Sequence, residues 1–68
     1  MNDDDRGVQW LHDLRNAVNT ALISTSVVRG LLDQGDAARA LPFVIDAQDA
    51  CKRCRVLLSD ALPQALEY

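Results

Sequence analysis

Asp33-Gln34-Gly35-Asp36 places a helix stop and a helix start side by side near the middle of a 68-residue chain. Gly35 can take the left-handed backbone conformation that closes a helix, and Asp36 can cap the next one. Upstream of this point Leu11, Leu14, Val18, Ala21, Thr25, Val28 and Leu32 recur at alternating steps of three and four. That spacing makes one continuous helical stripe, which Ala17, Leu22 and Leu31 widen beyond a narrow coiled-coil seam. The spacing predicts a first helix over about residues 8–33, preceded by a polar, flexible lead-in over 1–7 that ends in Gly7.

Downstream, Leu41, Val44, Ala47, Cys51, Cys54, Leu58, Ala61 and Ala65 form a similar stripe, flanked by Ile45 and Leu62. A second helix is expected over about 37–62, after a turn at 34–36. Pro42 is the awkward residue, because inside a helix it removes a backbone hydrogen bond and crowds the preceding turn. Either the helix kinks there, or 36–41 is a separate turn and the long helix starts at Pro42. The second option suits proline's tolerance for a first turn. Pro63 marks the expected end. Asp49 and Arg53, acid first and four apart, are expected to form a small stabilising pair on the solvent side. The fold class that follows is all-α: an antiparallel two-helix hairpin. A lone hairpin leaves much of each stripe wet, and pairing two hairpins closes a four-helix bundle. A homodimer is therefore expected, with stability that depends on concentration.

Composition agrees with this class. The chain is 49% hydrophobic, 25% charged and only 4% aromatic, with three glycines and two prolines, too few turn residues for an all-β fold. A domain this small leaves no room for a self-contained cofactor-binding enzyme and struggles to stabilise itself alone. A net charge of −3 argues against nucleic acid, whose binding needs clustered cations. The short basic run Lys52, Arg53 and Arg55 reads as a solvated helix face. No apolar run approaches the roughly 20 residues of a membrane span. The acidic start Met-Asn-Asp-Asp-Asp-Arg is unlike a signal peptide, so a cytoplasmic location and no membrane partner are expected.

Cys51 and Cys54 form a C-x-x-C, but a tetrahedral zinc site needs two more ligands and His12 is the single histidine. A redox motif of this kind belongs in a βαβ setting, which is absent. Both thiols are read as small core residues, and no metal or cofactor is expected.

One constellation points to chemistry: Leu11-His12-Asp13-Leu14-Arg15-Asn16. With Leu11 and Leu14 facing inward, His12 lies on the exposed flank and Asn16 follows one turn later on the same flank. Asp13, next to His12, points round towards solvent. An exposed imidazole is a usable nucleophile towards phosphorus. A neighbouring carboxylate could orient it or take its proton, and an amide one turn away could bond a phosphoryl oxygen.

His12-Asp13-Leu14-Arg15-Asn16 resembles the H-box of sensor histidine kinases, in which the phosphoacceptor histidine is followed by an acid and, four residues on, by Asn or Thr. The long histidine-bearing helix, short turn and second long helix resemble the dimerisation and histidine-phosphotransfer domain of that family, over about residues 8–62. The resemblance implies that His12 accepts phosphate, that Asp13 assists transfer and that Asn16 is the polar residue tied to the kinase and phosphatase steps. Two departures stand out. Ala17 occupies a position where many members have proline, and no ATP-binding domain follows, so ATP-dependent kinase activity is not expected from this chain. The implied function is phosphotransfer to or from an aspartate on a response-regulator receiver domain, which would bring its own metal. Such a receiver would dock around His12, Arg15 and Asn19, and on residues 55–62, which antiparallel pairing sets beside His12. The alternative is a non-enzymatic dimeric module that binds or sequesters a kinase or receiver, or exchanges subunits with a full-length kinase, with His12 a remnant. A third reading, an excised piece of a longer kinase, is one that Met1 argues against.

Overall fold

A computed structural model describes the backbone of residues 3–66 and the side chains of residues 7–60. It contains two helices, α1 (Asp3–Asp33) and α2 (Ala37–Leu66), and no strand among the described residues. The connection is three residues long. Trp10, near the start of α1, bonds across to Leu57, near the end of α2. A short turn at one end and a cross-link at the other make the pair an antiparallel hairpin, so the chain is all-α.

The turn is built as its sequence predicts. Gly35 has φ of 75°, and the N–H of Asp36 donates to Leu31 O at 2.8 Å while that of Gly35 donates to Leu32 O at 2.9 Å. This reciprocal pair satisfies two of the carbonyls that the end of a helix leaves open. Asp36 then starts α2: its Oδ1 accepts the Arg39 N–H at 3.1 Å and its carbonyl accepts the Ala40 N–H at 3.2 Å. One residue thus closes the first helix with its backbone N–H and opens the second with its side chain.

That cap explains why the helix does not wait for Pro42. α2 is continuous from Ala37 through Pro42 and Pro63 to Leu66, so 36–41 is not a separate turn and Pro63 is not the end. Each proline removes one donor, to the carbonyls of Ala38 and Ser59, and both of those residues are exposed, where water can serve instead. At the other end α1 is helical from Asp3, so the expected lead-in over 1–7 is largely part of the helix. Acidic residues such as those at 3–5 are favoured at a helix start by the macrodipole.

The interior of the hairpin is made of small side chains. Ala17, Ala40, Ala47 and Ala50 are buried, with Ser24 beside them, and among the described residues no large side chain is fully buried. Trp10, Leu14, Ala21, Val28 and Leu31 of α1 and Val44, Cys54 and Leu57 of α2 are half-buried around them. The stripe expected from sequence is only partly on this line: Leu14, Ala21, Val28, Val44, Ala47 and Cys54 lie on or beside it, whereas Leu11, Val18, Leu32, Leu41 and Leu58 are exposed within the single chain. Cys51 is exposed and Cys54 half-buried, so Cys51 is not a core residue of the hairpin. The reason is geometric: alanine lets two backbones approach closely, and the larger residues one position round each helix are displaced outward. Ala61, Leu62 and Ala65 lie outside the residues with described side chains.

Candidate functional site

His12 occupies the third turn of α1 and is exposed. Its position is fixed by what lies on the other side of the helix. Trp10 Nε1–H donates to Leu57 O at 2.9 Å, pinning this end of α1 against α2, and buried Ala17 holds the next turns close. Residues two apart on a helix point to nearly opposite sides. With Trp10 turned towards α2, His12 is turned away from it. The segment from Arg55 is level with His12 along the hairpin, as antiparallel pairing requires, but the imidazole faces outward rather than onto α2.

The outward surface around His12 is a shallow depression of about 230 Å³ lined, among the described residues, by Val8, Leu11, His12 and Arg15. These four lie at spacings of three and four, so they share one face of α1. The depression sets an imidazole and a guanidinium beside two apolar side chains, a lining that can take an anionic group at its polar side. Asn16 is also exposed, one turn beyond His12. Asn19 is exposed a further turn along.

Asp13 behaves differently. It is half-buried, and its Oδ1 accepts a hydrogen bond from Gln9 Nε2 at 2.8 Å. Among the described residues that amide, one turn towards the N-terminus, is its hydrogen-bond partner, and the bond draws the carboxylate along α1. The structure therefore brings His12 and Asn16 onto one open flank and adds Arg15, while Asp13 is engaged with Gln9.

Sequence reasoning assigned no role to Trp10, Gln9 or Val8. A signal for Trp10 was present: a single indole one turn before Leu14 on the inward stripe carries an N–H that burial obliges to find an acceptor. No spacing rule identifies Gln9 as the partner of Asp13 beyond the four-residue interval itself.

Among the described residues no group of three or more His, Cys, Asp or Glu side chains is arranged to hold a metal ion. No described helix is long and apolar enough to cross a membrane. Comparison with protein-family models, curated proteins and solved structures gives no match to this chain.

Proposed function

We propose that this chain is a histidine phosphotransfer protein of a two-component relay, carrying phosphate on His12 to or from a receiver-domain aspartate in the cytoplasm. The observation that supports the reading is the exposed imidazole of His12, which shares a depression with the Arg15 guanidinium and has Asn16 one turn away. In the transfer a neutral ring nitrogen of His12 attacks the phosphorus of an aspartyl phosphate on the receiver. The N–P bond forms as the bond from phosphorus to the carboxyl oxygen breaks. The receiver carboxylate leaves with the electron pair, and the second ring nitrogen releases its proton to water. Arg15 supplies positive charge close to the incoming phosphoryl oxygens, and Asn16 supplies an amide N–H donor on the same flank. Asp13 accepts from Gln9 through Oδ1 alone, so the role of base falls to its Oδ2.

The test is transfer from receiver domains precharged with labelled phosphate. Acid-labile label should appear on the wild-type chain and be absent from His12→Gln. Absence of label from the wild type with every receiver that binds it would overturn the reading.

The exposed apolar residues Leu11, Val18 and Leu22 favour a second reading, a non-enzymatic dimeric module that binds or sequesters a kinase or receiver through its helical surface, with His12 a remnant. In that case His12→Gln binds the same partner with unchanged affinity.

A further inference from the structure

Cys51 is not the core residue that its spacing predicts: it is exposed, and Cys54, one turn later, is half-buried. α2 is helical throughout this stretch, so the two thiols lie one above the other on one face, with about 5–6 Å between their β-carbons. That interval has two consequences. It exceeds the roughly 3.5–4.5 Å between β-carbons that a disulfide requires, so α2 keeps the pair as two thiols for as long as it stays helical. It is also short enough for both sulfurs, each swung by a single torsion, to meet on one ion. Cys51 opens onto a groove of about 370 Å³ between the helices, whose lining among the described residues includes Val28, Val44, Ala47 and one cation, Lys52. Arg55, one turn beyond Cys51 on the same side of α2, is exposed.

We propose that Cys51 and Cys54 bind one soft monovalent cation, Cu(I), between their two sulfurs. The donor set selects this class of ion. Among the described residues no third His, Cys, Asp or Glu joins the pair, so zinc, which takes four ligands, is left two short. Cu(I) favours thiolates over harder donors and is satisfied by two of them in a line. Binding is a ligand exchange without oxidation. Two S–Cu bonds form, the two thiols release two protons to water, and the bis-thiolate complex carries one net negative charge. Lys52 and Arg55 place positive charge beside that complex, and the apolar groove wall limits the approach of water from the side of Cys51.

The inference does not depend on any chemistry at His12. Anaerobic titration of the full chain with Cu(I), in competition with the chromophoric chelator bicinchoninate, tests it. The wild type should take up one ion per chain, release two protons per ion and show two sulfur neighbours in the copper X-ray absorption spectrum. Cys51→Ser, at an exposed position, should weaken binding at least a hundredfold. The double variant Arg53→Cys, Cys54→Ser keeps two thiols, but two residues apart they point to nearly opposite sides of α2. Its affinity should be as low as that of Cys51→Ser.

Unchanged affinity in Cys51→Ser would overturn the proposal, as would displacement of the bound copper by equimolar Zn(II). Should the double variant fail to fold, the wild-type readouts decide without it. A single sulfur neighbour, or one ion shared between two chains, would show that the two thiols of one helix do not form the site.

Discussion

Trp10 and His12 stand two residues apart on α1, and each defines the other's surroundings. The indole is committed to α2 through its bond to Leu57 O, which leaves the imidazole on the open side. Trp10→Phe keeps an aromatic ring but deletes the donor and part of the indole's packing, and should cost at least about 1 kcal/mol. In a domain of this size that lowers the melting temperature by roughly 4–8 °C, read by circular dichroism. The His12 imidazole was legible from its pattern with Asn16, because a four-residue interval on a helix fixes a shared flank. The disposition of Asp13 was not, since a carboxylate next to a histidine in sequence lies about 100° away round the helix. It is free to choose a partner on its own side, here Gln9. Asp13→Asn keeps an acceptor for the Gln9 amide and should leave stability within about 0.5 kcal/mol by urea unfolding. Its effect on phosphotransfer then reports chemistry rather than folding.

The turn that joins the helices was the most readable part of the chain, because its two instructions are carried by single residues with distinct physical demands. Gly35 has open space around the position of an added Cβ, so Gly35→Ala costs only the left-handed backbone penalty of about 1–2 kcal/mol. Asp36→Ala removes the acceptor for the Arg39 N–H and should cost about 1 kcal/mol. Pro42 was the misleading element. Local propensity argues for a boundary there, but the cap at Asp36 starts α2 five residues earlier and the exposed Ala38 carbonyl tolerates the missing donor. Pro42→Ala should therefore stabilise the chain, by about 1–3 kcal/mol, as the N–H returns and the ring clash is relieved. Thermal unfolding of this variant checks the continuity of α2 directly.

At the scale of the whole molecule, periodicity located the apolar side of each helix correctly but centred it one row away from the line of closest approach. Hydrophobicity scales rank leucine above alanine, so the eye follows Leu11, Val18 and Leu32, whereas the packed line runs through Ala17, Ala40, Ala47 and Ala50. Small residues decide where two helices touch: the pattern included Ala47 and reached Ala17 at its edge, but passed over Ala40 and Ala50. The consequence for stability is specific: Ala17→Leu, at a site with no exposure, should overpack the hairpin and cost about 1–3 kcal/mol.

The lone tryptophan has one more consequence. It is the only indole in the chain, and it bridges the helices at the end far from Gly35. Its emission therefore reports whether the two helix ends stay zipped, while the amide signal of the remaining turns reports their helicity. Heating followed by fluorescence and by far-ultraviolet dichroism would give one shared midpoint if the hairpin melts as a unit. An earlier red shift of the indole would instead show the hairpin opening from its free end while the turn still holds.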